Sequence, residues 1–241
     1  MVFDTRHFSS VSEQYDARSS LSKSLIMKDY LNKRTKHITD CKIIDLGVGT
    51  GGFSNIFSSC NELIGVDKNQ NMLEIAKKTG VKVICADLRC LPFIEHTFDV
   101  ALCRQVLQYF SFSEASDLLR ESFRVLSPNG SLFLHHMVPI DREHGIVLKE
   151  FMRIEGNSHP YLLHQEIITY AIKAGFRVIN EGVDKFVAHE TVNSFMDYRK
   201  IGISEFKQRC ELINNYGIND IIINGSSLSY SNYYSFLELR K

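Results

Sequence analysis

One stretch constrains the fold more than any other: an apolar run that ends in a carboxylate and enters a glycine-rich turn, Ile43-Ile44-Asp45-Leu46-Gly47-Val48-Gly49-Thr50-Gly51-Gly52-Phe53. An apolar run of this kind predicts a buried strand. The glycines that follow allow positive φ angles, and they let a ligand lie against bare main chain because no Cβ intrudes. The stretch therefore predicts a strand, turn and helix that cradle a nucleotide.

The glycines satisfy two nucleotide-binding patterns at once. Gly47, Gly49 and Gly52 fit G-x-G-x-x-G, and Asp67 follows at the distance of about 20 residues expected of a ribose-binding acid in a dinucleotide fold. Read from Asp45 to Gly51, the same stretch is D-x-G-x-G-x-G. In that form it resembles the first motif of class I S-adenosylmethionine-dependent methyltransferases.

The charge of Asp45 favours the second pattern. A dinucleotide brings a pyrophosphate to the helix N-terminus, and a carboxylate at the end of the strand would repel it. S-adenosylmethionine instead carries a sulfonium and an ammonium, which a nearby carboxylate tolerates or attracts. We therefore expect Asp45, Gly47, Gly49 and Gly51 to bind S-adenosyl-L-methionine, with a dinucleotide as the alternative.

Two further acids follow predicted strands. Asp67 can accept hydrogen bonds from both ribose hydroxyls; its alternative role is the N-cap of a helix over 69–78. The resemblance places an apolar residue of this helix, Met72, against the adenine, although core packing explains Met72 equally well. The resemblance also implies that Asp87 accepts from the adenine amine while Leu88 offers its backbone N–H.

Segments far from the glycine turn resemble the same family. Leu91-Pro92-Phe93 and Phe98-Asp99-Val100-Ala101-Leu102 match its Leu-Pro-Phe and Phe-Asp-x-Val elements, and Ser127-Pro128-Asn129-Gly130 matches its Leu-x-Pro-Gly-Gly turn with Asn129 replacing a glycine. The resemblance covers about residues 10 to 137 and is best with the ubiquinone/menaquinone-biosynthesis-like (type 11) small-molecule group. It implies that the leader folds over the donor pocket, with Tyr15 near the methionine carboxylate.

Catalytic candidates follow the fourth and fifth predicted strands. In open parallel sheets ligands bind at the carboxyl ends of strands, where Arg104 is a cofactor candidate and Tyr109 a catalytic one. Gln108 stands where the family often has histidine. The strand over 131–134 ends in His135 and His136, one of which should point to each face. A neutral imidazole there could take a proton from the acceptor, or both rings could simply bond inside the protein.

The predicted fold is α/β: a doubly wound, mostly parallel, seven-stranded Rossmann-like sheet with helical cap insertions. We divide the chain into an N-terminal helical lid (1–38), a cofactor-binding core (39–138), and an acceptor cap with the last strands (139–241). The family topology makes the last two strands an edge pair, one of them antiparallel. Possible acceptor contacts in the cap are His144, Arg153, His159, Tyr161 and His164.

The amino-acid composition limits the classes of partner and the cellular location that we expect for this chain. Lys plus Arg equals Asp plus Glu, 28 each, so no global field draws the protein to nucleic acid or to an anionic membrane. No apolar run approaches the roughly 20 residues of a membrane span, and no secretion signal is visible, so a cytoplasmic protein is expected. The six cysteines form no C-x-x-C, which predicts reduced core thiols and no metal site. Oligomeric state is not indicated.

The resemblance implies in-line methyl transfer to an O, N or C atom of a small, partly aromatic metabolite. The segment after the fourth strand, Arg104-Gln105-Val106-Leu107, lacks the Asn/Asp-Pro-Pro-Tyr pattern of enzymes that methylate nucleic-acid amino groups. Two alternatives stay open. One is a carboxyl O-methyltransferase of a carrier protein or another protein, and the other is a donor-binding fold with different chemistry or a binding role alone.

Overall fold

A computed structural model describes Asp29, Asn32, Lys33 and residues 35–57, 61–152, 161–216 and 221–241. The strands in these residues are β1 (Lys42–Leu46), β2 (Glu62–Asp67), β3 (Lys82–Cys85), β4 (Phe98–Arg104), β5 (Leu126–Val138), β6 (Arg177–Thr191), β7 (Ile221–Asn224) and β8 (Ser227–Arg240). The α-helices are α1 (Gln70–Lys78), α2 (Phe112–Val125), α3 (Arg142–Met152), α4 (His164–Lys173), α5 (Val192–Arg199) and α6 (Ile203–Asn215). Short 3-10 helices span Ser54–Ile56 and Leu107–Tyr109.

The strands form one sheet in the order β3-β2-β1-β4-β5-β8-β6. The pairs from β3 to β5 are parallel, whereas β8 is antiparallel to both of its neighbours, β5 and β6. This is the predicted doubly wound, mostly parallel sheet, with the last pair at the edge. The predicted count of seven strands misses β7, which forms a hairpin with β8 through Asn224-Gly225, a dipeptide typical of tight hairpins.

The two faces of the sheet are covered differently. Leu134 and Val138 of β5 share a buried cluster with Leu118 of α2 and Ile167 of α4, on what we call the helix face. Phe133, whose side chain alternates with theirs, packs against Phe53 on what we call the cap face. Both faces of a parallel sheet are normally buried, and in the central strand β1 every residue after Lys42 is buried.

The cap is built on an extension of two strands. β5 pairs with β8 only up to Tyr233, so the rest of β8 runs on beside β6 and β7. This extension supports an aromatic cluster that includes Phe151 of α3, Phe195 of α5 and Phe206 of α6. The segment after β6 forms two helices rather than one, because Lys200 adopts a left-handed conformation (φ 56°) after α5.

The cysteines depart in part from prediction. Cys103 in β4 is buried, but Cys85 and Cys90 are exposed, because β3 is an edge strand and the chain after it lies at the surface. All the described cysteines are free thiols. In the part of the chain that the structure describes, no helix is long and apolar enough to cross a bilayer.

Candidate active site

The glycine turn after β1 has three left-handed glycines with different surroundings: Gly47 (φ +79°), Gly49 (φ +56°) and Gly51 (φ +79°). A Cβ on Gly47 would lie 2.2 Å from Cγ2 of Val106, and a Cβ on Gly51 would lie 2.9 Å from Oγ1 of Thr79. A Cβ on Gly49 would meet nothing within 4 Å. Packing therefore requires Gly47 and Gly51, while the backbone at Gly49 faces open space that a ligand can approach.

Asp67 at the end of β2 holds the turn in place. Its Oδ2 accepts from the Gly49 N–H (3.0 Å) and its Oδ1 from the Asn69 N–H (2.9 Å). The cap of α1 is Asn69, whose Oδ1 accepts from the N–H of Met72, so the alternative of Asp67 as N-cap is wrong. Each Asp67 oxygen keeps a further lone pair. Met72 lies on the buried side of α1.

Asp45 and Arg104 lie on the cap face beside the turn. Asp45 is 4% exposed and accepts from Oγ of Ser54 (3.2 Å). Burial raises the pKa of Asp45 to about 6, against the opposing effects of Arg104 and of the Ser54 hydrogen bond. The Arg104 guanidinium lies 3.5 Å above the Phe53 ring. The site thus combines the buried carboxyl group of Asp45 with the guanidinium cation of Arg104, which stacks on an aromatic ring.

Asp45→Asn is expected to stabilise the protein at alkaline pH only. The pKa of about 6 in the folded state exceeds the ordinary 3.8. Above the folded-state pKa, the ionised carboxylate therefore lowers the free energy of unfolding by about 3 kcal/mol, since its pKa is raised by roughly two units. Below the ordinary pKa the group is protonated in both states, and this cost is absent. Urea unfolding at about pH 4 and about pH 8 measures the difference.

The exposed Asp99, which lies at the opposite end of β4, provides the control Asp99→Asn. It should show no such gain at alkaline pH. A loss of stability in Asp45→Asn of equal size at both pH values would contradict the assignment of Asp45 as a desolvated acid.

Asp87, the adenine candidate, is held by a residue that the sequence analysis did not identify. Arg89 donates from Nε to Oδ1 (2.9 Å) and from Nη2 to Oδ2 (2.6 Å) of Asp87, and its Nη1 reaches Glu114 (2.5 Å). These bonds lower the pKa of Asp87 to about 2. The D-x-R spacing was the only sequence signal for the pair. Leu88, between them, is buried in the helix-face cluster.

The segment after β4 packs on the glycine turn through Val106. Gln105 has a positive φ of 56°, and its N–H donates to the carbonyl of His135 (2.8 Å). Its Oε1 accepts from Nε2 of Gln108 (3.1 Å). Among the described residues, Nε2 of Gln105 and Oε1 of Gln108 are buried without a hydrogen-bond partner. Tyr109 lies half-buried at the end of the 3-10 helix.

The two histidines lie within β5 rather than beyond its end, so their predicted place at the lip of the sheet is wrong. Pairing with β8 extends β5 to Val138. As predicted, the rings point to opposite faces. His135 stacks on Tyr234 on the cap face at 5.1 Å, beside Arg104 in the register. His136, on the helix face, is 2% exposed, and burial lowers its pKa to about 3.

The cap candidates have separate structural contacts. His144 accepts the Ile140 N–H at Nδ1 (3.1 Å), and Tyr161 is buried near Met137 and Tyr234. His164 bonds Ser235 (2.9 Å) and Glu181 (2.5 Å) on the helix face, away from Arg104. Tyr15, Arg153 and His159 lie outside the described residues. No group of three or more described His, Cys, Asp or Glu side chains could hold a metal ion.

Comparison with known proteins identifies the core. Residues 44–134 match the family described as "Methyltransferase domain", a range that runs from β1 through β5 and includes the glycine turn, Asp67, Asp87 and Arg104. These residues form a methyltransferase domain.

Relatives of the methyltransferase domain agree with this identification. An uncharacterised protein of Methanocaldococcus jannaschii is 33% identical over 127 residues, which are 53% of this chain and 59% of that protein. The demethylmenaquinone methyltransferase of Lactococcus lactis is 29% identical over 154 residues, 56% of this chain and 60% of that enzyme. The chain thus spans at most about three fifths of these curated relatives. The YcgJ protein of Bacillus subtilis shares the fold, with a TM-score of 0.74 at 19% identity over 89% of this chain and 97% of that one.

Proposed function

We propose that the methyltransferase domain binds S-adenosyl-L-methionine and transfers its methyl group to an O, N or C atom of a small, partly aromatic molecule. The observation that carries the proposal is the hydrogen bond from the Gly49 N–H to Asp67. It fixes an open stretch of backbone between Asp67, which is the proposed ribose-binding acid, and the charged groups of Asp45 and Arg104. The core over 39–138 would hold the donor and the cap over 139–241 the acceptor.

Each end of the donor has a complementary group. Asp67 would accept from the ribose hydroxyls, and Asp87 with the Leu88 N–H would read the adenine, with Met72 beneath it. Arg104 offers a cation to the methionine carboxylate, and Asp45 an anion to its ammonium. The lid over 1–38, with Tyr15, would close over this end.

Bound S-adenosylmethionine supplies an already activated methyl group on a cationic sulfur. The protein therefore mainly has to position the acceptor in line and to exclude water. A base is needed only when the nucleophile starts protonated. His135 shares the cap face with Arg104 and is the stronger candidate, with Tyr109 beside the turn as an alternative. His136 lies on the opposite face of the sheet, and burial lowers its pKa to about 3, so we do not assign it the proton transfer.

Calorimetric titration with S-adenosylmethionine, S-adenosylhomocysteine and NAD tests the cofactor directly. We expect micromolar binding of both adenosyl ligands and none of NAD. Binding of NAD alone would restore the dinucleotide interpretation of the turn. Transfer of a labelled methyl group to a panel of hydroxylated and amino aromatics then tests the chemistry. Tight donor binding with no transfer to any acceptor would favour a binding role or different chemistry.

Asp87→Ala is expected to weaken S-adenosylhomocysteine binding about tenfold, because it removes one charged acceptor from the adenine amine. The loss should be absent for S-inosylhomocysteine, which has no amine to donate. The ratio of the two dissociation constants in wild type and variant measures this selectivity. Asp197→Ala, at an exposed position of α5, is the control, and an unchanged ratio in Asp87→Ala would exclude Asp87 from adenine recognition.

A further inference from the structure

Two glutamine side chains with unsatisfied atoms lie together just after the carboxyl end of β4. Gln108 is only 8% exposed, and Gln105 is half-buried. Among the described residues, Nε2 of Gln105 and Oε1 of Gln108 are buried without a hydrogen-bond partner. Buried polar atoms are nearly always paired in folded proteins, so two such neighbours point to a ligand.

A hydrogen bond places the two side chains beside each other, since Nε2 of Gln108 donates to Oε1 of Gln105 (3.1 Å). Gln105 also lies next to β5, because its N–H donates to the carbonyl of His135 (2.8 Å). Val106, between the two glutamines, contacts the glycine turn at Gly47. The group therefore borders the turn where we place the donor, on the side toward β5.

The backbone conformation of Gln105 is also energetically unfavourable. Gln105 has a φ of 56°, a left-handed conformation that residues other than glycine seldom adopt. Such strain clusters at binding sites, where it fixes a side chain in a required direction. The strain and the unsatisfied atoms are independent observations on the same residue.

The hydrogen-bonding pattern of the group defines what it can bind. The two amides are linked head to tail by one hydrogen bond, so the pair presents an unsatisfied N–H donor at one end and an unsatisfied carbonyl acceptor at the other. None of the unsatisfied atoms carries a charge, so a carboxylate or phosphate would lose its hydration without an opposite charge from them.

Resting on the proposed methyl transfer, we propose that Gln105 and Gln108 form the polar wall of the acceptor pocket. They select an uncharged acceptor that carries a hydrogen-bond donor and a carbonyl on neighbouring atoms, such as an amide, a lactam or a hydroxy-ketone.

The first test needs no ligand. Replacing one glutamine alone would remove the hydrogen bond between the two amides and leave a further polar atom of the other amide without a partner. The test variant is therefore the double replacement Gln105→Met with Gln108→Met. If the atoms are unsatisfied in the free protein, this variant should raise Tm by about 2–4 °C. Gln208→Met, on the exposed side of α6, is the control and should leave Tm unchanged. A fall in Tm of the double variant would show that the amides stabilise the fold, and would overturn the proposal.

The second test measures selectivity with the protein saturated by S-adenosylhomocysteine. The probes are δ-valerolactam, its N-methyl derivative, which lacks the donor, and pentanoate, which is charged. Ligand-observed NMR should show the lactam binding about tenfold more tightly than either analogue to the wild type and to Gln208→Met. In the double variant this ratio should fall to about one, while S-adenosylhomocysteine affinity stays within about threefold of wild type.

Equal binding of the three probes to the wild type, no binding of any, or a preserved preference in the double variant would each overturn the proposal. Failure of the wild type to bind S-adenosylhomocysteine would count against the proposed function instead. In that case the Tm comparison, made on the free protein, still decides whether the amides are unsatisfied.

Discussion

Replacing Gly47 with alanine is expected to destabilise the protein by about 2–5 kcal/mol and to abolish donor binding. The new Cβ would lie 2.2 Å from Cγ2 of Val106, and the φ of +79° disfavours any side chain. Left-handed strain costs about 1–2 kcal/mol and overpacking about 1–3 kcal/mol more. Urea unfolding measures the first effect and calorimetry with S-adenosylhomocysteine the second.

A double-mutant cycle separates steric from conformational strain at this position. Val106→Ala removes Cγ2, after which the nearest Val106 atom to the new Cβ is its own Cβ at 3.5 Å. The double variant should therefore be destabilised by less than the sum of the single changes, with a coupling of about 1–3 kcal/mol.

Gly49→Ala is the matched control for the same cycle. Its φ is also left-handed, at +56°, but nothing lies within 4 Å of its added Cβ. It should cost only the conformational strain of about 1–2 kcal/mol, while still blocking the ligand. Strict additivity between Gly47→Ala and Val106→Ala would exclude the predicted collision.

Asp67→Ala is expected to weaken S-adenosylhomocysteine binding at least about a hundredfold. The variant would lose the two charged hydrogen bonds that we propose from the ribose hydroxyls, worth about 1.5–3 kcal/mol each. It also frees the N–H groups of Gly49 and Asn69, which the carboxylate now holds at 3.0 and 2.9 Å, so the turn loses its support. Calorimetric titration of the variant measures the loss.

Asp67→Asn distinguishes the two contributions. The amide oxygen can keep one of the backbone bonds, so the turn should hold its shape better than in Asp67→Ala, while the charge on the ribose side is removed. We expect intermediate affinity. Asp99→Ala is the control, because Asp99 also accepts a backbone N–H, from Lys42, but lies at the amino end of β4. Undiminished binding by Asp67→Ala would remove Asp67 from the donor site.

Features that depend on local geometry were predictable from the sequence. The glycines of the turn are required by positive φ, and the order from β1 to β5 follows from an alternation of strands and helices that right-handed crossovers must connect. The opposed faces of His135 and His136 follow from the two-residue period of a strand. The family resemblance rested on the glycine turn and on short motifs between residues 87 and 130, and the methyltransferase domain match confirms it.

Other features depend on residues that are far apart in the chain. The extension of β5, which places both histidines inside the sheet, results from pairing with β8 about a hundred residues later. The position of β7, the packing of Val106 against Gly47 and the bridge from Arg89 to Glu114 likewise need the register of distant segments.

By itself, the sequence determined the glycine cradle, the acids at the strand ends and the parallel core, because each follows from backbone conformation or from periodicity within a short segment. Only the tertiary structure decided which atoms are left unsatisfied. The unsatisfied amide atoms of Gln105 and Gln108 become visible only when every neighbour is in place, because satisfaction of a buried polar group depends on its whole surroundings.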